Sequence, residues 1–317
     1  MGSLTEILLI FFLLFVLVKS ADLVQESMVT VSKAMNLSPF LVGFVVLALA
    51  SSLPELSVAL TSAATNVPEL SLGNLIGSSI VVLSLIIGST AIKAGSLPFT
   101  GSYSLSSLLL TLGLISTQVI VLLDGELSRD DGILLITGYI VVTAVVLRKV
   151  IKLRPKKRRR KKAAFAKLLA FSAVGVLGLL IASNLLVETA VDFSESLGIS
   201  KTIVGMLLFS IGTNLPELTM LLRSNTVDKS KLAVGNFVGV TALHIPALGL
   251  LAIISPHQIA NVSIIAIGQF FLALCLILFA LFATTGKEIQ RREGYLLVSL
   301  YLAWVFIESV NAIILRQ

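Results

Sequence analysis

The chain of 317 residues is strongly apolar: 56% of its residues are hydrophobic, 13% are charged, and the mean hydropathy is +1.02. These values exclude an ordinary soluble globular domain. The net charge of +7 comes from one stretch, because twelve Lys and Arg lie between Arg148 and Lys167 and the rest of the chain sums to −5. Cys275 is the only cysteine, which excludes an internal disulfide and a thiolate metal cluster.

Ten apolar runs, bounded by charged residues, Gly or Pro, predict ten membrane-spanning segments. The runs lack the alternation of polar and apolar residues found in barrel strands, so we expect helices. The apolar segment Ile7–Val18 follows Glu6 and no basic segment, which favours a retained span over a signal peptide. Ser38 and Ser200 are predicted N-caps of the second and seventh spans. The predicted spans are 4–20, 38–62, 71–92, 103–123, 131–149, 164–187, 200–222, 232–254, 258–284 and 293–314.

An internal repeat relates the two halves of the chain at a constant offset of 162 residues. Residues 42–79 align with residues 204–241, and 12 of these 38 positions are identical. Each half contains five spans, an odd number, so the second half must enter the membrane in the opposite orientation, which is typical of transporters. We therefore predict an all-α integral membrane protein with ten transmembrane helices in two inverted five-helix repeats. The repeats are residues 1–149 and 164–317, and a basic linker, residues 150–163, joins them.

The distribution of basic residues predicts the orientation of the chain. If the linker is cytoplasmic, 21 of the 24 Lys and Arg lie on the cytoplasmic side, and only Arg129, Lys201 and Arg316 lie on the other. We thus expect a multi-pass protein of the cell membrane with both termini outside. The linker would suggest nucleic-acid binding in a soluble chain, but here it is interpreted as a topology anchor that contacts anionic lipid.

The middle of the second span contains a carboxylate, Glu55, in an otherwise apolar run. A carboxylate at membrane depth costs at least about 2.5 kcal/mol, so its first interpretation is functional. Ser51 and Ser52 precede it by four and three residues and share its helical face, and Ala48 lies on the same stripe. Pro54 lacks an N–H group and is expected to free backbone carbonyls of the preceding turn.

The seventh span repeats this arrangement around Glu217, with Ser210, Thr213 and Asn214 before it and Pro216 as the helix breaker. Freed carbonyls at this depth are tolerated where they line a cavity or an ion site. Two carboxylates with hydroxyl, amide and carbonyl oxygens are the ligands that Ca²⁺ prefers. The alternative is that the prolines only kink the helices and the glutamates pair with hydroxyls or are protonated, which a symmetric pair makes less attractive.

Three further polar residues are open to more than one interpretation. The Gly-Asn-x-x-Gly sequences at Gly73 and Gly235 favour close helix packing, whereas Asn74 and Asn236 are predicted to line the site. His244 is a lone histidine within a span, and such residues are more often satisfied core groups than ligands or proton carriers. The predicted ion site comprises Glu55, Glu217, Ser51, Thr213, Ser52, Asn214, Ala48, Ser210, Ser78, Asn74, Asn236 and His244.

The chain resembles the calcium/cation antiporter superfamily over its whole length, and most of all its prokaryotic sodium/calcium exchanger-like branch. The resemblance implies the exchanger fold, Ca²⁺ as a substrate, and Glu55 and Glu217 as paired ligands with Ser51 and Thr213 as hydroxyl ligands. The sequences that carry it are Ser-Ser-Leu-Pro-Glu at 51–55, Gly-Asn-Leu-Ile-Gly-Ser at 73–78, Gly-Thr-Asn-Leu-Pro-Glu at 212–217 and Gly-Asn-Phe-Val-Gly at 235–239.

The chain also departs from this pattern. Sodium-coupled members of the superfamily follow the last glycine of the second motif with Ser and, four residues later, with Asn or Asp. Here Ser78 is followed by Val82 in the first repeat, whereas Val240 and His244 occupy these places in the second, and Asn214 stands where serine is usual. The paired glutamates are kept, but part of the oxygen shell is lost.

The sequence therefore predicts a secondary active antiporter that exports Ca²⁺ in exchange for Na⁺ or H⁺, with no enzymatic activity, no cofactor and no required oligomer. Protons are favoured as at least part of the coupling, because an unperturbed histidine has a pKa of about 6.5. Alternatively, His244 stays neutral and bonds a neighbouring carbonyl, and sodium enters a reduced site. A passive channel, a membrane hydrolase and a degenerate family member with altered selectivity or no transport remain open.

Overall fold

The computed structural model describes residues 3–34, 48–99, 104–150, 162–215, 217–218, 227–259, 262–286 and 288–314. The described residues of the first half form α1 (Ser3–Ala34), α2 (Ala48–Ser51), α3 (Leu53–Ala64), α4 (Pro68–Ile80), the π-helical segment π1 (Val81–Ile86), α5 (Ile87–Ala94), β1 (Ser96–Pro98), α6 (Leu105–Ile120), β2 (Glu126–Leu127) and α7 (Arg129–Val150). Those of the second half form α8 (Lys162–Leu197), α9 (Lys201–Val204), the π-helical segment π2 (Gly205–Phe209), α10 (Ser210–Thr213), α11 (Val227–Ile254), β3 (His257–Gln258), α12 (Val262–Thr285), β4 (Glu288–Gln290) and α13 (Arg291–Ile314).

The structure confirms the all-α membrane fold. Seven helices of the described residues are long and apolar enough to cross a membrane, and two shorter apolar helical stretches accompany them, Leu105–Ile120 and Lys201–Thr213. A helix satisfies its backbone hydrogen bonds internally, which is why apolar runs of this length adopt it in hydrocarbon. The predicted N-cap at Ser200 is confirmed, because its hydroxyl accepts a hydrogen bond from the Thr202 amide at 3.2 Å. Ser38 lies outside the described residues.

The first and sixth spans are longer than predicted. Helix α1 has 32 residues and α8 has 36, whereas the apolar runs indicated 4–20 and 164–187. The charged residues that end the first apolar run do not end the helix. Lys19 and Asp22 lie one turn apart on α1 and form an ion pair at 2.8 Å, so both charges are satisfied along the helix surface.

The two halves of the chain pack against each other through glycines. Helix α1 lies along α8, where a Cβ atom at Gly175 would stand 2.7 Å from the Ser20 carbonyl oxygen. Helix α5 packs on α13 through Gly88 and Gly294, and α7 packs on α11 through Gly132 and Gly249, in both cases with the backbones almost in contact. Small residues allow this approach between membrane helices.

Two pairs of short strands also join the halves. Strand β1 pairs with β4, with Ser96 opposite Gln290, and β2 pairs with β3, with Glu126 opposite Gln258. At the repeat offset of 162, β1 corresponds to β3 and β2 to β4, so the two pairs join equivalent strands, with registers that differ by two residues. The division into two inverted domains at residues 149 and 164 stays a prediction, but these contacts follow the same offset.

Candidate functional site

Both helices that contain the matched motifs are interrupted just before the proline of each motif. Helix α2 ends at Ser51, and Ser52 leaves helical geometry with φ −86° and ψ 5° before α3 begins. In the second half, α10 ends at Thr213, and Asn214 has nearly the same angles, φ −91° and ψ 11°. Glu55 thus lies in the first turn of α3, where the helix dipole stabilises a negative charge. Pro216 lies outside the described residues.

The two glutamates lie in the interior, where the charge of Glu217 acts on Glu55. Glu55 is 1% exposed and Glu217 is 2% exposed. Each interacts with a hydroxyl from the opposite repeat: Glu55 with Thr213, and Glu217 with Ser51, while Glu55 also experiences the charge of Glu217. None of the four carboxylate oxygens has a partner in good hydrogen-bond geometry among the described residues. Buried carboxylate oxygens without donors are ready to coordinate a cation.

A polar cluster from the third span extends this pair. Asn74 and Ser78, on α4, are fully buried, and Thr213 reaches both of them across the repeat interface. The Thr213 and Ser78 hydroxyls each lie 3.4 Å from the Asn74 Oδ1 atom, and 3.4 Å from one another. The Thr213 hydroxyl donates its one hydrogen to the Phe209 carbonyl oxygen at 3.0 Å, so its 3.4 Å contacts with Asn74 and Ser78 are weak and leave these oxygens available to an ion. The structure therefore brings these three predicted residues together.

The position of this cluster is set by close contact between the backbone of α4 and that of α9 and π2. A Cβ atom at Gly73 would lie 2.1 Å from the Thr202 carbonyl oxygen, and one at Gly205 would lie 2.1 Å from the Leu70 carbonyl oxygen. A Cβ atom at Gly77 would lie 2.5 Å from the Met206 carbonyl oxygen. Gly73 and Gly77 pack as predicted, and together with Gly205 they allow α4 to lie directly on π2. A π-helical segment at this position is common next to functional sites.

The remaining predicted residues of the motifs are buried beside the glutamates. The Asn214 amide donates to the Ser210 carbonyl oxygen at 2.8 Å, and its Oδ1 atom has no partner. The Ser210 hydroxyl donates to the Met206 carbonyl oxygen. The Ala48 carbonyl oxygen accepts the Ser52 amide at 3.0 Å, and the Ser52 hydroxyl is buried without a partner.

His244 belongs to a second polar network. Its Nδ1 atom lies 2.9 Å from the Ser79 hydroxyl, to which the Gln118 side-chain amide donates at 3.2 Å. Within the described part of the chain, no three His, Cys, Asp or Glu side chains are grouped closely enough to hold a metal ion, so His244 does not complete such a group with the two glutamates. The backbone of Asn236 lies in α11, but the placement of its side chain is outside the described residues.

Sequence reasoning missed the partners of His244 and left a third carboxylate unassigned. Ser79 and Gln118 lie in apolar runs as ordinary polar residues, and no local spacing relates them to a histidine more than a hundred residues away. Glu308, on α13, is fully buried and interacts with Trp304 and Asn311 on the same helix. Its neighbours lie four residues before and three after it, a helical spacing that the sequence does contain.

Comparison with known proteins identifies relatives of the whole chain. Among curated proteins, the putative antiporter CaxA of Alkalimonas amylolytica is 28% identical over 310 residues, which cover 93% of this chain and 95% of that protein. The inner membrane protein YrbG of Escherichia coli is 28% identical over 309 residues, 92% of this chain and 93% of YrbG. The sodium/calcium exchanger MaX1 of Methanosarcina acetivorans is 26% identical over 334 residues, 92% of this chain and 95% of MaX1.

Solved structures show the same fold. The sodium-calcium exchanger NCX_Mj soaked with 2.5 mM Na⁺ and 10 mM Sr²⁺ matches with a TM-score of 0.66 at 23% identity, covering 95% of this chain and 98% of that one. The family described as sodium/calcium exchanger protein matches this sequence twice, over residues 5–148 and 167–310. Members of this family are membrane transporters of cations and not a class of enzymes. The chain belongs to the sodium/calcium exchanger family.

Proposed function

We propose that the protein is a secondary active antiporter that moves Ca²⁺ out of the cytoplasm in exchange for Na⁺ or H⁺, through a site formed by Glu55 and Glu217. The observation that carries this proposal is the pair of buried carboxylates, each beside a hydroxyl of the opposite repeat and without a hydrogen-bond donor of good geometry. Two buried negative charges that act on each other are repulsive, so the pair is favourable only when a cation or protons neutralise it.

The ligands proposed for Ca²⁺ are all oxygens. Glu55 and Glu217 supply carboxylate oxygens, and Ser51 and Thr213 supply hydroxyl oxygens at their sides. Asn74, Ser78, Ser52, Asn214, Ala48 and Ser210 surround them as further candidates. Ca²⁺ takes about six to eight oxygen ligands in flexible geometry, whereas Mg²⁺ requires a tighter octahedron and holds its water. A loosely bonded cluster of oxygens therefore fits calcium better than magnesium.

Obligatory exchange follows from the charge of the empty site. Carrying two uncompensated negative charges through the interior of the membrane is strongly unfavourable, because the surroundings have a low dielectric constant. The site changes its side of access only when it is loaded, either with one divalent ion or with its counter-ions. Because both loaded forms use the same two carboxylates, the two ions compete and do not travel together.

We propose that protons supply at least part of the counter-ion flux. His244 motivates this proposal, because a histidine side chain can take up and release a proton near neutral pH. Among the described residues, the His244 Nδ1 atom bonds the Ser79 hydroxyl at 2.9 Å and not a carbonyl group. Sodium entering a reduced site beside Glu217 is the alternative, and both counter-ions are compared in the same assay.

The deciding experiment is ⁴⁵Ca²⁺ uptake into liposomes that contain the purified protein and an imposed Na⁺ or H⁺ gradient. We expect uptake that saturates, that runs against the calcium gradient, and that stops when the counter-ion gradient is collapsed. Uptake that only follows the calcium gradient would indicate a passive channel. The variant with both Glu55→Gln and Glu217→Gln serves as the control, and wild-type uptake by it would contradict the site.

The surroundings of the protein are part of the same proposal. All proposed ligands come from one chain, so no partner subunit is needed to form the site. The linker of residues 150–163, which lies mostly outside the described residues, is placed on the cytoplasmic side in contact with anionic lipid. Both termini are placed outside the cell.

A further inference from the structure

Three buried hydroxyls join α3 to α8 close to the proposed site. The Ser183 hydroxyl, on α8, lies 2.9 Å from the Ser57 hydroxyl and 2.8 Å from the Thr61 hydroxyl, both on α3. Ser183 donates its one hydrogen to the Leu180 carbonyl oxygen at 3.2 Å, so its two acceptor positions receive the hydrogens of Ser57 and Thr61. We call Ser57, Thr61 and Ser183 the hydroxyl cluster.

Helices α1 and α8 cover the helices of the site but supply none of the proposed ligands. Helix α1 packs on α2 and α10, and α8 packs on α3 and α9. The carboxylates of Glu55 and Glu217 are buried beneath them, so an ion reaches the site only when these helices move apart. In transporters with inverted repeats, access changes largely by the rocking of one bundle against another around a fixed site. A movement of α8 away from α3 leaves the ligands in place, but it breaks the hydroxyl cluster.

The hydroxyl cluster lies nearer to one face of the membrane. It falls between Glu55, in the middle of its span, and the end of α3 at Ala64. Helices α4 and α5 run from there to β1 at the opposite face, and α6 returns to β2. The hydroxyl cluster and β2 therefore share a side, which we call the β2 side and which the basic residues predict to be outside. Contact between α3 and α8 in this half of the membrane closes the β2 side.

The repeat provides no equivalent of this cluster near the opposite face. At the offset of 162 residues, Ser183 of α8 corresponds to Ala21 of α1, and Ser57 corresponds to Thr219. Thr219 lies outside the described residues. Ala21 is buried, and its side chain has no polar atom that would accept a hydrogen bond. When the two halves exchange their arrangements and the side of access changes, the hydrogen bonds to Ser183 are lost and its counterpart in α1 forms none in return.

We propose that the hydroxyl cluster stabilises the state in which the β2 side is closed, and that its three members are positioning residues for the change of access. The inference rests on the proposed antiport function. A buried hydrogen bond that is present in only one of two states shifts the equilibrium between them by about two- to tenfold. The hydroxyl cluster thus lowers the fraction of protein that is open to the β2 side.

The test measures the half-saturating calcium concentration on each side, from ⁴⁵Ca²⁺ uptake into sealed membrane vesicles of both orientations that contain the full-length protein. A cysteine at Glu126, in β2, identifies the β2 side by its reaction with an impermeant thiol reagent. The apparent affinity on each side is reduced by the fraction of protein open to that side, so the ratio of the two values reports the equilibrium between the access states.

We expect Ser183→Ala to lower the half-saturating concentration on the β2 side and to raise it on the other, which changes the ratio by about two- to tenfold. Ser57 keeps an acceptor in this variant, the Leu179 carbonyl oxygen at 3.2 Å. Thr61→Val preserves the shape of the side chain and removes only its hydroxyl, so it should change the ratio in the same direction. An unchanged ratio in both variants, or a change in the opposite direction, would overturn the proposal.

Two further variants test whether the effect belongs to the hydroxyl cluster. The double variant should differ little from Ser183→Ala alone, because the Thr61 hydroxyl has already lost its partner. Additive changes would contradict a shared cluster. The matched control is Ser27→Ala in α1, where the buried hydroxyl bonds the Leu23 carbonyl oxygen of its own helix at 3.0 Å. It should leave the ratio unaltered, and a change as large as that of Ser183→Ala would overturn the assignment.

The outcomes separate this inference from the proposed function. The absence of calcium exchange by the parent protein in both vesicle orientations would overturn the antiport function, and the inference with it. Exchange by the parent protein with a ratio that ignores Ser183→Ala and Thr61→Val would overturn the inference alone. A variant that only loses folded protein lowers uptake on both sides and leaves both half-saturating concentrations unaltered, which counts against the proposed role.

Discussion

Glu55 and Glu217 are the residues on which the proposed site depends most. Replacing either by Gln removes a carboxylate but keeps its shape, and we expect ⁴⁵Ca²⁺ uptake to fall by more than about 100-fold, because even groups behind a direct ligand contribute 10- to 100-fold. The thermal midpoint without calcium should rise, since the repulsion between two close carboxylates is relieved.

Calcium supplies the second measurement for these variants. A ligand at about 100 times its Kd stabilises the folded protein by about 2.7 kcal/mol, so calcium should raise the midpoint of the parent protein but not of the double Gln variant. Glu26→Gln removes an exposed carboxylate from α1 and is the control. A calcium-dependent midpoint in the double variant would place the ion elsewhere.

Ser51 and Thr213 are expected to act as equivalent hydroxyl ligands in the two repeats. Thr213→Ala removes an oxygen that interacts with Glu55 and lies 3.4 Å from Asn74 Oδ1, so calcium affinity should weaken by about tenfold or more, the range for loss of a hydrogen bond to a charged group. Thr213→Ser keeps the hydroxyl and should retain most of the calcium affinity of the parent protein. The measurement is the calcium dependence of uptake, and equal affinities for the Ala and Ser variants would exclude the hydroxyl as a ligand.

The glutamates could be predicted from the sequence because a carboxylate inside an apolar run is unusual and its repetition at a fixed offset is more so. The contact of His244 with Ser79 could not, since the two are 165 residues apart and a single hydrogen bond leaves no periodic signal. Membrane spans are visible in hydropathy, but polar pairs between them depend on how the spans pack.

At the scale of the helices, we expect stability to be most sensitive to substitution of the glycines at the contact between α4 and π2. Gly205→Ala would place a methyl group 2.1 Å from the Leu70 carbonyl oxygen, and a backbone atom cannot move aside as a side chain can. We expect a destabilisation of at least about 1–3 kcal/mol, seen as a lower thermal midpoint in detergent.

Gly113→Ala is the matched control for this substitution. Gly113 lies inside α6, and a Cβ atom there has no neighbour within 4 Å. The same change should therefore leave the midpoint unaltered or raise it, because Ala is about 1 kcal/mol better than Gly in a helix. Equal effects at both positions would show that the close approach at Gly205 is not needed for stability.

The extents of the helices were only partly visible in the sequence. Hydropathy locates the part of α1 that lies in hydrocarbon, but it does not show that the helix runs on past Lys19 and Asp22, which pair along its surface. The breaks at Ser52 and Asn214 follow from the prolines two residues later, as expected from the clash of a proline ring with the preceding turn. The two π-helical segments and the four short strands gave no signal, since they depend on distant neighbours.

At the scale of the whole molecule, the orientation in the membrane is still a prediction from charge. A cysteine at Glu126, which is exposed in β2, should react from outside intact cells with a thiol reagent that does not cross membranes. A cysteine at Gln290, which is exposed in β4, should react only after permeabilisation. A cysteine at position 157 of the linker should behave in the same way. Cys275 is buried and contributes little background. The opposite labelling pattern would invert the topology.

The pairing of strands from opposite halves has a consequence for biogenesis. Strand β1 leaves the ribosome long before β4, its partner from Ser96 to Gln290, and α5 is inserted before α13 can cover Gly88. After insertion of the first half, β1 therefore has an unpaired edge and the Gly88 face of α5 is uncovered until β4 and α13 have been synthesised. A chain truncated before β4 keeps both defects permanently, and membrane quality-control proteases should remove it even though every residue proposed to bind calcium is present.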